Sequence, residues 1–75
     1  MTTHEKLYPI LRYFEFDHLP EVLKLVSEPF CTLAHQMALE LPHCPETSAG
    51  LRKLLEAKDC AVRAALDALD TANAR

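Results

Sequence analysis

The sequence predicts an all-α fold: a two-helix antiparallel hairpin with a short N-terminal arm, assembling into a helical homo-oligomer. Three observations predict it. Two long amphipathic segments fill most of the 75 residues. A Pro42-His43-Cys44-Pro45 turn separates them, and no helix crosses it. The composition, with one glycine, no tryptophan and 49% hydrophobic residues, suits packed helices better than strands.

The whole chain reads as one helical-hairpin domain over residues 1–75. Residues 1–16 form the arm. Thr2 or Thr3 is a candidate cap for a first turn at His4-Glu5-Lys6, which Pro9 then interrupts. Ile10, Leu11, Tyr13, Phe14 and Phe16 crowd together after it, and the arm is expected to pack across the hairpin and cover its open end. The sharper reading is that one or two of these rings, such as Tyr13 or Phe16, line a ligand pocket, since flat rings stack nucleobases.

The first long helix is expected over residues 17–41, starting at Asp17 or His18, with Pro20 in its first turn and Glu21 near its positive end. Its apolar seam reads Leu19, Leu23, Val26, Phe30, Leu33, Met37 and Leu41. Pro29 lies inside it, so a kink near Leu25 to Val26, or a break, is expected. Residues 42–47 form the turn. The second helix is expected over 48–72, with Thr47 or Ser48 as cap. Its seam reads Leu51, Leu55, Lys58, Val62, Ala65, Leu69 and Ala72. A second stripe reads Leu54, Ala57, Ala61, Ala64 and Ala68. Together the two stripes exceed what one partner helix covers, which predicts contact with further copies. A chain this short is also marginal alone.

Charge and cysteine usage narrow the function. Eight basic and eleven acidic residues give a net charge of -3, which argues against a duplex-DNA binder. A local cluster still suffices for a small anion. Cys31, Cys44 and Cys60 are odd in number and lack a disulfide-framework spacing, so they read as reduced and cytosolic. No apolar core for export and no run near the ~20 residues of a membrane span is visible.

Lys58 sits on an otherwise apolar seam, where a lysine snorkels to the edge, sets helix register, or holds an anion between subunits. Arg52, Lys53 and Arg63 flank it. They read either as a solvated face with local pairs, Lys53 with Glu56 and Arg63 with Asp59, or as cations that converge when copies assemble. Cys31 and His35 have the i, i+4 spacing of two metal ligands, and His43-Cys44 sits in the turn. The absence of paired Cys-x-x-Cys spacing argues against zinc, so no metal or other cofactor is expected. A Cys31–His35 thiol–imidazole pair is the remaining catalytic reading. There is no Gly-rich phosphate loop and no paired carboxylate motif, so the expectation is a protein that is not an enzyme.

The run Leu51-Arg52-Lys53-Leu54-Leu55-Glu56-Ala57-Lys58-Asp59, continuing to Ala61-Val62-Arg63-Ala64-Ala65-Leu66, resembles the second helix of small tailed-phage proteins. His18-Leu19-Pro20 through Pro29-Phe30 to Leu33-Ala34-His35 is similar to their first helix. The hairpin thus resembles the phage anti-CBASS protein two family, whose hairpin also occurs in anti-Thoeris protein one. The resemblance covers about Phe16 to Leu69 and rests mainly on hydrophobic spacing.

The resemblance implies a non-catalytic sponge acting in the host cytoplasm. Such a sponge sequesters cyclic oligonucleotide immune messengers and blocks CBASS-type antiphage signalling. It implies a homo-oligomer, a hexamer, with cyclic dinucleotides between pairs of protomers and cyclic trinucleotides in separate pockets. Phe16 matches the family's base-stacking aromatic, and Arg52 its trinucleotide arginine, with Lys53 and Lys58 as neighbours. Cys31 stands where the family has a phosphate-contacting lysine, leaving Lys24 or Arg12 as substitutes. The candidate ligand-binding residues are therefore Phe16, Arg52, Lys53, Lys58, Tyr13 and Arg12. The alternative is a small helical oligomer that binds a host or phage polypeptide.

Overall fold

The computed structural model describes residues 6–73. The Thr2 or Thr3 cap and the Ala72 side chain lie outside the described residues. The order is a 3-10 helix at Pro9–Phe14, helix α1 at Glu21–Glu40 and helix α2 at Pro45–Asn73. There is no strand among the described residues. The two long helices pack against each other, and the 3-10 helix packs on both. The all-helical, hairpin-like architecture expected from sequence is present.

The arm is a 3-10 helix because Pro9 presets its first residue and a three-residue period matches its apolar pattern. Residues i and i+3 eclipse in such a helix. Tyr8, Leu11 and Phe14 thereby share one face, and all three are buried. They form the core with Ala34, Ala38 and Leu51. The arm does pack across the hairpin, with the bulk of the core coming from the arm.

This packing relocates the seam of α1. Leu33 and Leu41 are exposed, while Ser27, Ala34 and Ala38 are buried beside Leu23. Val26, Phe30 and Met37 are half-buried. Small residues face inward where the arm's Leu11 and Phe14 need room, so the buried stripe lies one residue beyond the expected Val26, Leu33 and Met37. On α2, Leu51 is fully buried. Leu55, Lys58, Val62 and Ala65 are half-buried, and Leu69 is exposed.

Both helix starts differ from expectation. Asp17 to Leu19 form a turn, closed by the Leu19 amide donating to the Phe16 carbonyl at 3.0 Å. Pro20 disfavours helical backbone at Leu19, so Pro20 becomes the cap and Glu21 the first helical residue. The helix then runs unbroken through Pro29, which excludes a break there. At α2 the helix begins at Pro45, three residues early, since proline suits a first position that needs no donor. The Cys44 carbonyl accepts the Ser48 amide at 3.1 Å. Thr47 therefore lies inside the first turn and donates its hydroxyl to the Pro42 carbonyl at 2.7 Å.

Helix α2 has 29 residues against 20 in α1, an excess of about 13 Å at ~1.5 Å per residue. Leu66 and Leu69 lie on this excess and are exposed. Val22, Leu25, Leu33 and Leu39 are exposed on α1, with Leu39 at 72%. The accessible surface is 5306 Å², against about 4,700 Å² for a typical monomer of this mass. The radius of gyration is 14.0 Å, against about 11 Å for a compact domain.

Two stability changes of opposite sign are expected. Leu51→Ala should cost about 2–5 kcal/mol, because a fully buried leucine leaves a cavity under the arm. Gly50→Ala should stabilise by roughly 0.5–1 kcal/mol through helix propensity. A Cβ there meets only the terminal methyl of Met37 at 3.1 Å, which a flexible side chain can yield. Urea unfolding of both variants checks the signs.

Candidate ligand-binding site

The 3-10 period that buries Tyr8, Leu11 and Phe14 turns Arg12 and Tyr13 outward. The turn after it carries His18 and Leu19. From α2, Lys58, Asp59, Val62 and Arg63 present one face at i, i+1, i+4 and i+5. These residues and Glu15 line a groove of about 340 Å³ between arm and helix. The groove thus gathers three fixed cations, one histidine and one aromatic ring, opposed by two carboxylates.

Arg12 donates to the Tyr13 hydroxyl at 2.9 Å, with its guanidinium carbon 4.9 Å from the Tyr13 ring centre. The guanidinium is held by a cation–π contact and keeps further donors for a ligand. Lys58 pairs with Asp59 at 3.2 Å, its side chain only 13% exposed. Lys58 is thus largely covered and paired at its ammonium, and Asp59 pairs with it instead of Arg63. Arg63 donates to the Cys60 sulfur at 3.5 Å, a weak contact for a guanidinium.

The sequence candidates divide. Arg12, Tyr13 and Lys58 are brought together in the groove. Phe16 is half-buried and does not line it. Arg52 lines a shallower hollow of about 240 Å³ with Leu7, Tyr8, Pro9, Ile10 and Ser48. Lys53 is exposed and lines neither. From sequence, Arg63 reads either as part of a solvated face or as a cation that converges on assembly, and His18 only as a candidate helix start. The Lys58, Val62, Arg63 spacing was the available signal for the first. His18 depended on where the turn before α1 places it.

A third hollow, of about 450 Å³, lies under the other side of the arm. Lys6, Tyr8, Pro9, Leu11, Arg12, Glu15 and His35 line it. Tyr8 also packs on His43, ring centres 4.9 Å apart and tilted by 52°.

The thiols are all free. Burial pushes the Cys31 thiol above its ordinary pKa, and Asp17, Glu15 and Glu28 add to this. That is opposite to the depressed thiol that catalysis or metal binding would use. Cys44 shifts the other way: the Thr47 hydroxyl, the Thr47 amide and the Glu46 amide hold its thiol below the ordinary value. The Cys44 sulfur lies 3.5 Å from the Thr47 oxygen. Among the described residues, no group of three or more His, Cys, Asp or Glu is placed to hold a metal ion. No helix among them is long and apolar enough to cross a membrane.

No protein-family model, no curated protein and no solved structure matches the chain.

Alkylation separates the two thiols. At pH 7, Cys44 should react with iodoacetamide several-fold faster than Cys31, because the thiolate is the nucleophile. Peptide mass mapping over time reads both rates.

Proposed function

We propose that this protein is a non-catalytic, self-assembling helical hairpin that captures cyclic oligonucleotide messengers in the host cytoplasm. By sequestering them it would keep an antiphage effector of the CBASS type switched off. The observation that carries this reading is the groove in which Arg12, Lys58 and Arg63 surround a space walled by Tyr13. Phosphates need fixed cations, and bases need a flat ring. The chain supplies both locally despite its negative net charge. The ligand class rests on the resemblance of Leu51 to Leu66, and of His18 to His35, to the phage family.

Self-assembly draws support from the exposed Val22, Leu25, Leu33 and Leu39 of α1 and from the overhanging Leu66 and Leu69 of α2. A hexamer is the assembly that the resemblance favours. In it, Arg52 and Lys53, which lie outside the groove, would serve a second pocket completed by neighbouring copies. Phe16 would serve as a stacking ring at such a junction. The same exposed α1 leucines support the rival reading, a polypeptide partner with no nucleotide ligand.

Calorimetric titration with cyclic di- and trinucleotides, alongside solution mass, tests the proposal. Saturable binding at less than one ligand per chain, with the nucleotide recovered intact after denaturation, is expected. Lys58→Gln and Arg63→Gln should each weaken binding about tenfold or more, the value of a charge-assisted hydrogen bond. Asp59→Asn should strengthen it, since Asp59 competes with phosphate for Lys58. Arg52→Ala should affect the trinucleotide more than the dinucleotide. A stable oligomer that binds no nucleotide would transfer the proposal to the polypeptide partner.

A further inference from the structure

We infer that the hollow of about 450 Å³ under the arm is a second binding site, for a small molecule with one planar apolar body and one oxyanionic group. Its volume falls within the ~300–1,000 Å³ typical of small-ligand pockets. It is built from both chemistries that such a ligand needs. Tyr8, Pro9 and Leu11 provide an apolar wall, and Lys6 and Arg12 provide two cations against the one carboxylate of Glu15. An inorganic anion would leave the apolar wall wet, and a neutral hydrocarbon would leave the cations unused. A molecule carrying both parts satisfies both.

Tyr8 supplies an independent observation. It is only 4% exposed, it lines this hollow, and its hydroxyl is buried with no hydrogen-bond partner among the described residues. Buried hydroxyls are ordinarily paired, so an unpaired one beside a hollow marks a place for an incoming polar atom. A swing of the whole Tyr8 side chain about its Cα–Cβ bond, rather than a ring flip, would bring the hydroxyl to the ligand's oxyanion. The site is separate from the cationic groove and shares only Arg12 and Glu15 with it. It does not depend on the groove's taking a nucleotide.

The test is a two-dimensional NMR titration of the full chain with phenyl phosphate, inorganic phosphate and phenol. Saturable shifts at Leu11 and His35 with phenyl phosphate are expected, with far weaker effects from either half-molecule. Lys6→Gln should weaken phenyl phosphate about tenfold by removing a charge-assisted contact. Tyr8→Phe should weaken it several-fold while raising the melting temperature of the unliganded protein, because it deletes an unpaired buried hydroxyl. A folding defect would lower that temperature, so the two readouts separate. The inference fails if phenyl phosphate does not saturate or if inorganic phosphate alone reproduces the shifts. It also fails if the shifts centre on Val62 and Arg63, or if Lys6→Gln binds as the parent does.

Discussion

Phe14, Leu11 and Tyr8, seated on Ala34, Ala38 and Leu51, hold the rest of the molecule in place. Two helices alone offer each other one stripe, and here the α1 stripe is built of Leu23, Ser27, Ala34 and Ala38. Small residues bury little apolar area, and burial scales with area. The arm supplies what they lack. Its large side chains fill the space that alanines leave open, and a core made from a hairpin plus six residues of 3-10 helix results.

The groove follows from the same contact. A 3-10 helix has three faces, and committing the Tyr8, Leu11, Phe14 face inward fixes the others. Arg12 and Tyr13 then point out beside α2, where Lys58 and Arg63 lie about one and about two turns beyond Leu55. Cation and ring positions are set by core packing, on rigid elements. Preorganisation of that kind lowers the ordering cost of binding. The exposed leucines are the complementary consequence: the arm covers one side of the hairpin only, and α2 outruns α1.

Cys31 and Cys44 show how position decides chemistry in identical side chains. Cys31 lies on α1 among carboxylates and is held protonated. Cys44 sits directly before α2, where the amides of Glu46 and Thr47 favour the thiolate. A sequence reading that pairs Cys31 with His35 by spacing alone meets the reverse of the environment it would require.

Periodicity and proline placement by themselves determined the two long helices, the existence of a turn between them and the single hairpin, because these are local properties of backbone and hydropathy. The sequence also held Arg12, Tyr13 and Lys58 as candidates. It held the three-residue spacing of Tyr8, Leu11 and Phe14 too, a signature of 3-10 structure legible only once that period is considered. Tertiary structure decided which α1 stripe is buried, since alanine reads as neutral until a bulky neighbour from the arm sits on it. Tertiary structure also decided that Arg63 and His18 join Arg12 and Lys58 while Arg52 and Phe16 do not. Those distances run between segments far apart in the chain, and only the docking of the arm on the hairpin fixes them.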